Sequence, residues 1–170
     1  MSVESRLTDV EEALRLLRDA DRLQGRPLSA KAPTDKDALG WNDTTKKWEP
    51  QKILDSGTYT PTLTNGTNVA ASTAYESQFI RVGAIVCVSG KVDVDPTSGT
   101  TTTILGVSLP FASNLGGQED VAGTCGQHLV TSASAGSVRA DTTNNRADLL
   151  MHPLSDVNAA WSFIFQYQII

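Results

Sequence analysis

Between Phe79 and Asp95 the chain reads FIRVGAIVCVSGKVDVD. Val86, Val88, Val92 and Val94 fall on one side of an extended chain, with Gly90 between them. Ile85, Cys87, Ser89, Lys91, Asp93 and Asp95 fall on the other. Side chains of a strand alternate across the sheet, so period-two spacing of β-branched residues predicts a strand with one face in a core. At its first end both faces are apolar, which predicts burial on both sides there, with Cys87 as a small buried hydrophobe. At its second end Asp93 and Asp95 predict one wet face. The last ten residues, WSFIFQYQII, repeat the pattern with larger side chains. Trp161, Phe163, Phe165, Tyr167 and Ile169 share one face, which predicts the central core strand.

Strand and turn signals alternate throughout the C-terminal two thirds. YTPTLT puts Tyr59, Pro61 and Leu63 on one side, and Pro61 predicts a sheet edge, because proline donates nothing to a ladder. NGTN at 65–68 is turn chemistry, and a hairpin is predicted to reverse near Val82–Ala84. DPTSGTTTT at 95–103 reads as a loop, and Pro110 stops the strand before it. Further turns are predicted near Ser134–Gly136 and Asn144–Asn145. About eight short strands with no helical period predict a mainly β domain, a jelly-roll-like β-sandwich knob.

Charge divides the chain. Residues 1–52 hold 10 Lys+Arg and 10 Asp+Glu; residues 53–170 hold 4 and 9. The net charge of −5 therefore belongs to the second part, whose surface must be mostly hydroxyl and amide. Such a surface solubilises a monomer less well than charges do, and an oligomer would hide some of it. An acidic chain without a basic cluster is a poor nucleic-acid ligand. No run of 18 apolar residues predicts membrane insertion, and the acid-bearing first residues do not read as a signal peptide.

In the first part, Val3, Leu7, Val10, Leu14 and Leu17 are spaced 4, 3, 4, 3. That spacing is a heptad seam, and it predicts a short α-helical coiled coil over residues 1–24, ended by Gly25 and Pro27. Its narrowness favours self-association over ordinary packing on the β domain, without separating two strands from three. Residues 25–52 carry three prolines and little apolar content, which predicts an extended linker. Within it, WNDTTKKW fits equally a hairpin in which Trp41 faces Trp48 across a four-residue turn at Asp43–Lys46. The knob is then 53–170.

Reaction chemistry is sparse. His128 and His152 are the histidines, and Cys125 and His128 make a lone C-x-x-H, short of a zinc set. No nucleophile elbow, metalloprotease helix motif, P-loop or dinucleotide fingerprint occurs. Asp93 and Asp95 lie on one strand face, where a glycosidase needs carboxyls opposed across a cleft. The expectation is a non-enzyme with no cofactor and no bound metal. Loops at Thr100, Thr101, Thr102 and Thr103 and at Asn144 and Asn145 have the hydroxyl and amide chemistry of a weak glycan-facing surface.

The stretch GTYTPTLTNGTNVAASTAYESQFIRVGAIVCVSGKVDVDPTSGTTTTILGVSLPFASN, residues 57–114, resembles the C-terminal domains of tailed-bacteriophage virion fibre proteins. QGRPLSAKAPTDKDALGWNDTTKKWEP looks like the linkers such proteins carry before their globular tips. The resemblance implies a homotrimer with a helical or threaded stalk and a β-rich knob. It also implies assembly in a bacterial host cytoplasm and a place on the virion surface. Its partners would be itself, capsid or tail proteins bound through the N-terminal segment, and a host-surface glycan. These 170 residues are far fewer than a long tail fibre has, and their first part reads as the helix, where a long fibre would be expected to carry a large attachment domain. A tail-borne adhesin and a head fibre that decorates and stabilises the capsid therefore both remain open.

Overall fold

The computed structural model describes Val10, Glu11, Leu14, residues 22–128 and residues 134–170. The chain divides into two compact units, Met1–Ile53 and Leu54–Ile170.

In the first unit, Val10, Glu11 and Leu14 carry helical backbone and are exposed. Among the described residues the one continuous helix is a 3-10 turn at Gln118–Asp120, and no coiled coil is seen. Val3, Leu7 and Leu17 of the predicted seam lie outside the described residues. Residues 22 and 23, expected to lie within the helix, instead form a strand, β1 (Arg22–Leu23), paired with β2 (Arg26–Pro27). Gln24 and Gly25 turn the chain with φ of 53° and 72°, the left-handed pair that a tight two-residue hairpin requires.

Of the two readings of residues 41–48, the structure has the hairpin, formed by β3 (Asp37–Asn42) and β4 (Lys47–Lys52). Trp41 stands opposite Trp48 and Asn42 opposite Lys47. The indoles meet edge to face at 5.7 Å. Asn42 Oδ1 accepts the backbone N–H groups of Thr44 and Thr45, which pins the turn. A lone hairpin is marginal in water, and this one is backed by its predecessor. Trp48 Nε1 donates to the Leu23 carbonyl at 3.2 Å, and the Arg26 guanidinium lies 4.4 Å from the Trp41 ring centre. The surface that the indoles need thus comes from the same chain.

The second unit is ten antiparallel strands: β5 (Leu54–Tyr59), β6 (Leu63–Asn65), β7 (Val69–Ala74), β8 (Ser77–Val82), β9 (Ile85–Pro96), β10 (Thr103–Val107), β11 (Val121–Gln127), β12 (Ala135–Asp141), β13 (Arg146–Met151) and β14 (Ala159–Gln168). Two packed sheets were the expectation. Nine of the strands instead follow one hydrogen-bonded path, β5-β8-β9-β14-β11-β12-β13-β10-β6, that curls on itself, and β7 pairs with β9 off that path. Its two end strands are consecutive in the chain and are stitched through Ser108, which exchanges hydrogen bonds with Thr62, while Tyr59 Oη donates to the Ser108 carbonyl. Pro61 sits in that crossing between the two edges, where no ladder bond is lost.

The core lines the inside of the curl. Val86, Val88, Val92 and Val94 of β9 are at most 1% exposed, as are Trp161 and Phe165 of β14. Phe163 stacks on Phe165 at 5.8 Å. Strand β14 alternates buried and exposed from Trp161 to Gln168 and lies between β9 and β11, the central place its sequence predicts. Leu109 and Phe111, from the segment after β10, pack on the same core, where Phe111 meets Phe79 edge to face at 5.1 Å. Tyr167 Oη donates to the Phe111 carbonyl and accepts its N–H. Burial pushes the Tyr167 phenol up to about 12.

Most turns fall where turn chemistry puts them. Gly83 and Ala84 join β8 to β9 with Gly83 at φ 58°, and residues 142–145 join β12 to β13 with Asn145 at φ 50°. The turn expected at Ser134–Gly136 does not: Ala135 and Gly136 are in β12, paired with Gly126 and Cys125.

Candidate interaction face

Strand β9 is long enough to serve two neighbours along one edge. Ile85–Ser89 pairs with β8 and Val92–Pro96 pairs with β7, while β14 runs along the other edge. This division decides what covers its outer face.

Beside β7, the outer face is partly closed. Tyr75 Oη donates to Asp93 Oδ2 at 2.6 Å, and Lys91 Nζ sits 3.7 Å from the Tyr75 ring centre. The hydrogen bond to Asp93 is the main reason the Tyr75 phenol is shifted upward. Asp93 and Asp95 are half-buried, drier than their alternation predicts. This Tyr–Asp–Lys group was not legible in the sequence, because Tyr75 reaches Asp93 only through the β7–β8 connection.

Beside β8 the outer face is open, the reverse of the predicted double burial. Ile80 is 54% exposed, Val82 58% and Ile164 52%. Cys87 is exposed as well, against the expectation of a buried thiol; Cys125 is the buried one, and burial raises it to about 11. The exposure follows from the pairing. Ile80 stands across from Cys87, Val82 from Ile85 and Leu54 from Val82, all turned away from the core.

The polar residues of the same face carry no charge. Cys87 has Gln166 as its partner on β14, Ile85 has Gln168, and Ser89 has Ile164. Farther out, Thr124 and Ala122 of β11 stand opposite Ile164 and Gln166, and Gln78 of β8 opposite Ser89. The patch therefore spans five adjacent strands in three rows. At about 4.8 Å between strands and 6.8 Å between rows, it covers roughly 480 Å² in plan. The area mixes apolar with uncharged polar side chains, and it is about the size of the largest patch on a typical monomer, which is often functional. A shallow hollow of about 160 Å³ lies between Ile80, Cys87, Ser89 and Ile164. Charges begin only at its borders, with Glu76, Lys91 and Asp93 on one side and Glu119 and Asp120 on the other. A middle free of charge with charged residues at the rim is the layout of a protein interface.

The outer face at the opposite side of the curl is built differently. Arg146 lies across Gly106, where an added Cβ would meet its guanidinium, and its Nε is 2.8 Å from Asp141 and 3.5 Å from Asp148. Burial and then the neighbouring Asp141 raise the Asp148 carboxyl. Asp141 is held below its ordinary value: burial opposes its charge, but the Asn144 side chain and N–H and then Arg146 outweigh it. These groups pair by charge within the chain, while Arg146 Nε and Asp148 Oδ1 are buried without a hydrogen-bond partner among the described residues.

The predicted glycan loops do not converge. Thr100, Thr101 and Thr102 are exposed, but Thr103 is fully buried; its Oγ1 accepts from Asn68 Nδ2 at 2.7 Å and donates to the Thr101 carbonyl at 3.1 Å. Asn144 and Asn145 lie at the other end of β10 and β13, since Thr103 pairs with Met151 and Val107 with Ala147. Both amides also have structural work. Asn144 Nδ2 donates to Asp141, and Asn145 Oδ1 accepts the Leu115 N–H at 2.8 Å. Thr103 is therefore not a surface residue, and the two loops lie at opposite ends of the strands.

Among the described residues no three His, Cys, Asp or Glu side chains gather closely enough to hold a metal ion. No helix among them is long and apolar enough to cross a membrane. In the N-terminal unit a groove of about 330 Å³ runs beside Leu28, Pro33, Leu39, Trp48 and Pro50, with Lys31 and Asp37 at its edge. No protein-family model, curated protein or solved structure matches this chain.

Proposed function

We propose that this chain is a non-enzymatic structural protein of a bacteriophage particle. It is a short trimeric fibre on the virion surface, docked by its N-terminal segment, with the β unit outward as a host-surface adhesin. The observation that carries this reading is the broad uncharged face over β5, β8, β9, β14 and β11, which suits packing against other protein rather than chemistry on a substrate. The resemblance of residues 57–114 to fibre knobs and the charge-rich first 52 residues agree with it. The jelly-roll description of the knob belongs to the same proposal.

Glycan binding at one knob is weak on this reading. The exposed threonines and the Tyr75–Asp93–Lys91 group offer polar contacts without a deep pocket, so useful avidity has to come from several copies. The alternative role is capsid decoration, in which the oligomer reinforces the head lattice. It draws on the apolar groove of the first unit as a place for another virion protein.

The test compares the full chain with one beginning at Lys52, on particles lacking the fibre and on host cells. The full chain should bind particles and the shortened chain should not, while the shortened chain binds cells and competes with infection. Equal particle binding by both would reverse the proposed polarity. Particle binding and head stabilisation without any effect on cells would replace adhesion with decoration.

A further inference from the structure

We infer that further copies of this chain cover the open face of β5, β8, β9, β14 and β11, so that the β units hold the oligomer together independently of the N-terminal seam. This rests on the reading of the chain as a symmetric oligomer and names the surface that makes it one.

The choice of occupant comes from charge. The β unit carries the whole net charge of −5, so two copies approaching through most surfaces repel. The open face is where they meet without that cost. Its polar side chains are amides and hydroxyls, Gln78, Gln166, Gln168, Ser89 and Thr124, each able both to donate and to accept. A symmetric assembly presents like groups to like groups and therefore needs self-complementary chemistry. A charged partner would find no counter-charge inside the rim, and a glycan would find exposed isoleucine and valine where it needs a pocket.

The same residues explain the one strand whose burial disagreed with its sequence. Ile85, Ile80, Val82 and Ile164 are too apolar for solvent and too well aligned to be scattered surface hydrophobes. Covered by other copies, the first half of β9 becomes dry on both faces, as FIRVGAIVCV predicts.

Cys87 gives a native probe, because it sits inside the face while Cys125 is 2% exposed. The experiment measures mass by mass photometry and thiol labelling by a maleimide-polyethylene glycol, using the full-length chain and its Ile80→Glu/Ile164→Glu variant. A Cys87→Ser chain assigns the label. Both isoleucines point away from the core, so far-UV circular dichroism should be unchanged in the variant. The inference expects an oligomer in which Cys87 labels at least tenfold more slowly than in the variant, and expects the variant to shift toward monomer. A wild-type oligomer that labels rapidly at Cys87 and keeps its mass would overturn the inference while leaving oligomerisation standing. A wild-type monomer would overturn oligomerisation and the inference with it. Should the variant misfold, slow labelling of native wild type against rapid labelling after dissociation in mild urea decides the same question.

Discussion

Gly90 interrupts the valine row of β9, and the structure gives the reason. Its cross-strand partner is Phe163, and a Cβ at position 90 would lie 2.8 Å from Phe163 Cζ and 2.7 Å from Ser77 Cβ, with Ser77 Oγ closer still. Carbon atoms pack at about 3.5–4.0 Å, so Gly90→Ala is short of contact by roughly 1 Å on two sides. Ser77 is held by its own backbone and is 1% exposed, so little can yield there. Overpacking of this kind costs about 1–3 kcal/mol, and closure from both sides argues for the upper end, about 3 kcal/mol. Gly126 in β11 is the control. Its added Cβ would find nothing nearer than the Ser134 carbonyl at 4.0 Å. There Gly→Ala should gain about 0.4–1 kcal/mol by restricting the unfolded chain. The same chemical change should therefore differ by some 3–4 kcal/mol between two strand positions. Urea unfolding followed by far-UV circular dichroism at one protein concentration reads this directly. At a slope of about 1.5 kcal/mol/M the midpoints should separate by about 2 M. Adding Phe163→Leu to Gly90→Ala opens one of the two sides and should give a double variant more stable than the sum of the single costs, by about 1 kcal/mol. Equal midpoints for Gly90→Ala and Gly126→Ala would refute the packing argument.

Three further outcomes follow from the same fold. Phe163→Ala should cost about 3–5 kcal/mol as a buried aromatic, while Asp95→Ala on the outer face should change stability by less than about 0.5 kcal/mol; reversed sensitivities in urea melts would mean the strand faces are inverted. Thr103→Val removes the acceptor for Asn68 inside the fold and should cost about 1–3 kcal/mol; a neutral result by thermal denaturation would show that the hydroxyl is not needed there. Asp120 accepts the N–H groups of Gly117 and Gly116, which hold its carboxyl below the ordinary 3.8. In the folded state it therefore binds fewer protons than in the unfolded state, so its stabilisation is present above that pH and lost as pH falls below it. Asp120→Asn should flatten the acid limb of a stability profile taken from pH 2 to 6, and an unchanged limb would remove Asp120 from the account.

Local chemistry carried much of this protein into view. Period two in Val86–Val94 and Trp161–Tyr167 states which side of each strand is dry, because a strand's side chains can only alternate. Asn-, Gly- and Pro-bearing stretches state where the chain reverses, because they tolerate or impose the necessary backbone angles. The facing of Trp41 and Trp48 follows from counting across a four-residue turn. What sequence order could not supply is which strands become neighbours. That Tyr75 would close over Asp93, that Thr103 would be sealed by Asn68, and that Gly90 would hold the space between Ser77 and Phe163 all depend on pairings distant in the chain. The apolar outer side of Ile85–Cys87 is the clearest case. Its composition calls for cover, yet no element of the described chain supplies it, because β8 and β14 spend their own inward faces on the core and turn Ile80, Val82 and Ile164 outward beside it. Periodicity decides which residues share a face; only the folded sheet decides whether that face has a neighbour.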